Sequence, residues 1–227
     1  MLKFTPILLA LLYGFALYHF SAWRTARSLD DNSTELADPR LKALMDRMAA
    51  SLDLPRIRVH IHEIAQVNGL AAPDGRIFIT RGFFDRYRSG DVTAEELSSV
   101  VAHELGHVAL GHSRRRMIDF SGQNALRTAI AMVIGRFIPG IGPLIASGLM
   151  TLLSARLSRD DEFEADAYAS ALLMRSGIGT APQISLFGKL DKLTGANGAS
   201  SPAWLLSHPK TDRRIAAIAA NTEKWGG

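Results

Sequence analysis

Cysteine is absent from the 227-residue chain, and that absence narrows the chemistry first. Disulfides, thiolate metal sites and a cysteine nucleophile are excluded, so any metal must be held by histidine and carboxylate. A chain without thiols suits the cytosol and an oxidising compartment alike. A strong charge of one sign is missing too: the formal net charge is +4 and the isoelectric point about 9.6. The arginines are spread along the chain, so nucleic-acid binding is not indicated, whereas a mildly basic surface suits anionic lipid. Long apolar runs are few. One extends from Phe4 to Phe20, behind Lys3 and ahead of Trp23, Arg24 and Arg27. Its length is marginal for a membrane span, with Tyr18 and Trp23 as interfacial anchors. Gly14-Phe15-Ala16 offers a small-x-small cleavage site, but the apolar run continues past it, which favours an uncleaved anchor over a signal segment for residues 1–23. Lys3 and the amino terminus nearly balance Arg24 and Arg27, so the flanking charges leave the orientation open. The expected setting is a bacterial inner membrane, with the following domain on the periplasmic side.

A second apolar stretch, Ala125 to Ser154, carries Arg127 and Arg136 and is broken at Pro139-Gly140-Ile141-Gly142-Pro143. Each half is too short to span a bilayer. The Gly/Pro centre predicts a helical hairpin that dips into the membrane, lids the site or packs in the core.

What is present between these runs has the rhythm of a folded domain of residues 39–227, with 24–38 as a polar, acidic linker. Pro39 to Leu52 reads as an amphipathic helix whose stripe is Leu41, Leu44, Met45 and Met48. Arg56 to Ile64 alternates as a strand, with Ile57, Val59 and Ile61 on one side. His60 and His62 fall on its polar face and read as solvated rather than metal-binding. Asn68 to Gly75 holds two turn signals around a short apolar stretch; Arg76 to Thr80 follows as a strand, and Gly82-Phe83-Phe84 opens a short helix.

The run Ala94 to Ala102 is apolar on one side and leads into His103-Glu104-Leu105-Gly106-His107. Thr93 supplies a helix N-cap, followed by the first-turn acids Glu95 and Glu96. Residues four apart share a helix face, so His103 and His107 can hold one Zn²⁺, with Glu104 beside it as a general base. The bland reading is an amphipathic helix with two core histidines. The helix breaks near Gly111, and His112, nine residues from His103, lies too far along and around it to ligate.

A catalytic zinc needs a third protein ligand. A histidine six residues past His107 would define a metzincin; Ser113 stands there, which excludes that class. The run Ser158 to Ala169 offers carboxylates instead, as a helix with an acidic start and Ser158 as its cap. Glu162 and Asp166 are four apart and share a face, so Glu162 can ligate while Asp166 holds a ligand histidine by its other ring nitrogen. Glu164 lies about 200° around the helix from Glu162 and is a poor ligand.

HELGHVALGH, then SRDDEFEADAYA, then SHPKTDRRI together resemble the HtpX-like and CAAX-prenyl-protease family of zinc metallopeptidases, from about Leu36 to Ala220. The resemblance implies a zincin-like domain of gluzincin type, α+β and mostly helical with a small β-sheet, here behind the N-terminal hydrophobic helix. It implies one Zn²⁺ per chain on His103, His107 and Glu162, with Glu104 as base. His208 and Arg214 match the family's C-terminal histidine and arginine, which implies that His208 stabilises the oxyanion and Arg214 supports the site. NGLAAPDGRIFITRGFF matches the strand region where an edge strand pairs with extended polypeptide, which singles out Asn68, Ile77, Phe78 and Ile79. Two features depart from the family. Members that process prenylated proteins carry many spans, whereas this chain has room for one or two, and Asn68-Gly69-Leu70 stands where Asn-Ala-Phe is common. The expected activity is that of a membrane-associated endopeptidase acting on unfolded or misassembled proteins. The rival from another class is a silent zinc-binding chaperone or scaffold. An aminopeptidase would need a glutamate cluster or Gly-rich motif for the free amino terminus, and the chain has neither.

Overall fold

The computed structural model describes Phe20, Trp23 and residues 27–72, 74–112, 142–193 and 212–225, with backbone alone for 142–158 and 190–193. Its elements among these residues are β1 (Ser33–Glu35), α1 (Pro39–Ser51), β2 (Val59–His62), β3 (Gly69–Ala71), β4 (Ile77–Thr80), α2 (Arg81–Arg88), α3 (Ala94–Ala109), α4 (Gly142–Arg175), α5 (Ala181–Leu193) and α6 (Asp212–Trp225). The architecture is α+β and mostly helical, as expected.

Local chemistry accounts for most boundaries. Asp38 caps α1, its carboxylate accepting from the Arg40 and Leu41 amides at 3.0 Å each, and Pro39 occupies the first turn, where no amide is needed. The stripe Leu41, Leu44, Met45 and Met48 is buried, as its spacing predicts. Thr80 caps α2, and the chain enters that helix through Gly82 because nothing larger fits: a Cβ there would stand 2.0 Å from the Ala65 carbonyl oxygen. Thr93 and Glu96 close a reciprocal capping box on α3, with bonds of 3.1 and 2.8 Å. Glu96 also accepts from Ser185 at 2.6 Å and Lys189 at 2.9 Å, which ties α5 to the start of α3.

The sheet order is β1-β2-β4-β3, with β2 and β4 parallel and both outer pairs antiparallel. Part of the stretch expected to be a linker is therefore sheet: Ser33 to Glu35 pair with His62 to His60. The short apolar stretch read as lying between turns is the strand β3, joined to β4 through Gly75, whose φ of +86° suits glycine.

Helix α3 lies across the sheet and is buried along almost its whole length, with α1, α4 and α5 around it. Helix α4 runs 34 residues, about 51 Å at 1.5 Å per residue. Ser158 sits inside it and caps nothing, because the helix begins sixteen residues earlier, at Gly142. The second half of the expected hairpin is thus continuous with the helix bearing Glu162 and Asp166; residues 125–141 lie outside the described residues, as does nearly all of 1–23. No described helix is long and apolar enough to cross a membrane. Helices α3 and α4 cross closely at Gly106, where a Cβ would meet the Ala165 Cα and carbonyl oxygen at 3.0 Å each.

Candidate active site

His103, Glu104 and His107 are presented by α3, Glu162 and Asp166 by α4, and Arg214 by α6, and all six are buried. The Nε2 atoms of His103 and His107 face each other at 3.1 Å. Glu162 sends Oε2 to within 3.4 Å of His103 Nε2 and Oε1 to within 3.4 Å of His107 Nε2. These three side chains form a group able to hold a metal ion. Zinc bonds of about 2.0–2.1 Å in a tetrahedron place neighbouring donors about 3.3 Å apart. The observed triangle of 3.1, 3.4 and 3.4 Å matches that spacing, so the donor set fits Zn²⁺.

The carboxylate of Asp166 lies 3.0 Å from His103 Nδ1 and accepts its proton, which leaves Nε2 as the metal-facing lone pair. Asp166 is in turn gripped by Arg214, whose Nε and Nη2 donate to its two oxygens at 2.6 and 2.8 Å. Nη1 of Arg214 lies 3.2 Å from Glu162, and the guanidinium stacks over Phe187 at 4.9 Å. A fully buried arginine is tolerable only because two carboxylates face it.

These charges set the proton affinities. Burial disfavours a charged His103, yet hydrogen bonds to Asp166 and Glu162 outweigh it and raise its pKa to about 9. Burial dominates at His107 and lowers its pKa to about 4, against the pull of Glu162. Burial also works against the Asp166 carboxylate, but Arg214 and His103 hold its pKa below the usual range.

Glu104 lies on the α3 face beneath β3: a Cβ on Gly69 would stand 3.7 Å from Glu104 Oε1 and only 2.7 Å from Val100 Cγ1. The sheet edge above the site is therefore close to the α3 backbone. That edge is not β4. Ile77, Phe78 and Ile79 are fully buried in an interior strand, its two edges taken by β2 and β3, so they cannot add a substrate strand. Gly69 to Ala71 form the edge instead, next to Asn68, whose amide donates to the Thr80 hydroxyl at 2.9 Å. His208 lies outside the described residues.

Two residues set aside on helix-face grounds belong beside the site. His112 is completely buried, with Nδ1 2.9 Å from His107 Nδ1 and Nε2 3.0 Å from a Glu164 carboxylate oxygen. The angular argument failed because α3 stops at Ala109 and Gly111, at φ +71°, turns the chain back toward the helix. The glycine was legible; the fold-back it permits was not. His60 and His62 are in no metal-capable group among the described residues. His62 bonds to Ser33 and the Asn32 carbonyl instead.

Two histidines one helical turn apart, a glutamate from a second helix and a carboxylate beside the first histidine define the class: a zinc metallopeptidase. The chain belongs to peptidase family M48, whose family profile matches residues 35–222. It is similar to Metalloprotease LoiP of Escherichia coli (strain K12), 32% identical over 183 residues, 79% of this chain and 68% of that protein. Metalloprotease YcaL of the same strain is 27% identical over 179 residues, 79% of this chain and 67% of that protein. A Protease HtpX homolog of Acidiphilium cryptum (strain JF-5) is 30% identical over 161 residues, 62% of this chain and 53% of that protein. The HtpX-like resemblance and the hydrolase class expected from it hold.

Proposed function

We propose that this chain is a membrane-associated zinc endopeptidase that cleaves unfolded or misassembled polypeptides. The observation that carries the reading is the donor triangle of His103, His107 and Glu162, with edges of 3.1, 3.4 and 3.4 Å, buried beside Glu104. When bound, Zn²⁺ supplies Lewis-acid chemistry, lowering the pKa of water and polarising a carbonyl. Glu104 takes the proton of the attacking water and delivers it to the leaving amine. Asp166 and Arg214 keep His103 in the ligating tautomer. His208 is assigned to the oxyanion on the strength of the family motif, as a donor of the kind worth a few kcal/mol of barrier.

The substrate strand pairs with Gly69 to Ala71, a three-residue edge that pairs only with β4 among the described residues. Backbone pairing selects extended chain more than sequence, which suits unfolded protein as substrate. The apolar run Phe4 to Phe20 supports a membrane anchor, and the periplasmic face of a bacterial inner membrane is the proposed setting.

Zinc content and casein hydrolysis of wild type and Glu104→Gln test the reading. An enzyme keeps one zinc in both proteins and loses hydrolysis in the variant. A zinc-binding scaffold shows no difference in hydrolysis between the two. His208→Phe should keep zinc and KM while kcat falls roughly a hundredfold, as for loss of an oxyanion donor; unchanged kcat removes His208 from the mechanism.

A further inference from the structure

The two histidine ligands are backed differently. His103 leans on Asp166, a buried carboxylate locked by Arg214. His107 leans on His112, an imidazole with no sequence relation to the metal motif beyond proximity. A ligand histidine that faces the ion with Nε2 carries its one remaining proton on Nδ1. That proton must go somewhere, because the site is buried. The atom 2.9 Å away is Nδ1 of His112, which can accept only when its own proton is on Nε2. His112 Nε2 in turn lies 3.0 Å from Glu164, whose carboxylate is about half exposed, and 3.7 Å from Asp161. Each link fixes the next: His107 donates to His112, and His112 donates to Glu164.

We infer that His112 is a positioning residue for the zinc site, accepting the His107 Nδ1 proton and so fixing the tautomer and ring orientation of that ligand. This rests on the zinc-peptidase reading above. His112, Asp161 and Glu164 also form a metal-capable group on paper. The same proton logic opposes it while His107 ligates zinc. A metal on His112 Nε2 would put a proton on His112 Nδ1, facing the proton already on His107 Nδ1 at 2.9 Å. The two sites exclude each other, and the one built with Glu162 is the buried one.

The test uses three variants of the full chain and measures zinc affinity by chelator competition. His112→Leu removes the acceptor at similar bulk. His112→Asn places an amide oxygen near the position of Nδ1, whereas His112→Gln places its amide near Nε2 and leaves His107 unserved. The expected zinc affinity falls 10–100-fold in the Leu and Gln variants, the range typical of losing an outer hydrogen-bond partner, and returns to within a few-fold of wild type with Asn. In parallel, the exchange-protected His107 ring N–H proton resonance of the zinc-loaded protein should persist with Asn and vanish with Leu. Melting temperatures of the metal-free variants account for any general loss of fold. Leu within about threefold of wild type, Asn no better than Gln, or two zinc ions bound per wild-type chain would each overturn the assignment. If the wild type binds no zinc and His103→Ala behaves identically, the zinc-peptidase reading itself falls.

Discussion

Gly106→Ala sets two effects of opposite sign against each other at the centre of the metal motif. In a helix interior, alanine is favoured over glycine by about 1 kcal/mol, so propensity alone predicts a more stable protein. The new Cβ, however, would stand 3.0 Å from both the Cα and the carbonyl oxygen of Ala165, and 3.3 Å from the Tyr168 Cβ. Ordinary carbon contacts start near about 3.5 Å, so α4 must retreat by about half an ångström. Neither obstacle at Ala165 is a flexible side-chain end, so nothing can swing aside. Overpacking of this kind costs about 1–3 kcal/mol, and the net expectation is a loss of about 1–2 kcal/mol. For a domain of this size that corresponds to a melting temperature lower by roughly 3–6 °C. The displacement also reaches the chemistry, because Glu162 lies one turn before Ala165 on the same helix. Its 3.4 Å spacings to His103 and His107 would widen, and zinc affinity should fall by about tenfold or more. Calorimetry of the metal-free protein and chelator competition read the two effects separately. Gly188→Ala is the control: it lies within α5 with nothing inside 4 Å of the added Cβ, and should raise stability by up to about 1 kcal/mol. If Gly106→Ala also gains stability and keeps its zinc affinity, the close crossing does not position Glu162, and the reasoning fails.

Three further outcomes are expected. Glu162→Ala should weaken zinc binding by more than about a hundredfold, whereas Glu164→Ala should change it far less; a metal assay in which Glu164 empties the site would reassign the third ligand. Zinc must displace a proton from His103, whose pKa is raised to about 9, so apparent affinity should fall about tenfold per pH unit as pH drops below that value, with about one proton released per ion. By the same linkage, the metal-free fold binds this proton more tightly than the unfolded chain, with its ordinary histidine near pH 6.5. That stabilisation is fully present below pH 6.5 and lost as pH rises to about 9, and calorimetry across that window checks the sign. A zinc affinity flat between pH 6 and 8 would contradict the raised value. Deleting residues 1–23 should move the protein into the soluble fraction if that run is the only anchor; retention in carbonate-washed membranes would implicate 125–154.

What the chain encodes locally was readable in the sequence. The stripe Leu41, Leu44, Met45 and Met48, the Thr93–Glu96 capping box and the shared face of His103 and His107 all lie within one or two helical turns. At that range, side-chain spacing and orphan amides decide the outcome before any tertiary contact forms. Even the choice of Glu162 over Glu164 followed from helix rotation alone, and Glu162 is the one facing both histidines. The errors came where separate elements meet. The interior position of β4 and the edge position of β3 depend on sheet order, which a parallel pair between β2 and β4 sets across intervening chain. Ser158 had the chemistry of a cap, but the helix had already begun at Gly142. His112 was dismissed by extending a helix that stops at Ala109, and only the reversal at Gly111 brings it against His107. The sequence by itself therefore determined the metal donors and the helices that carry them, because both follow from short-range periodicity. Tertiary structure alone decided which strand is open, how closely α3 and α4 cross and which groups receive the ligands' second protons, because those are fixed by packing between segments far apart in the chain.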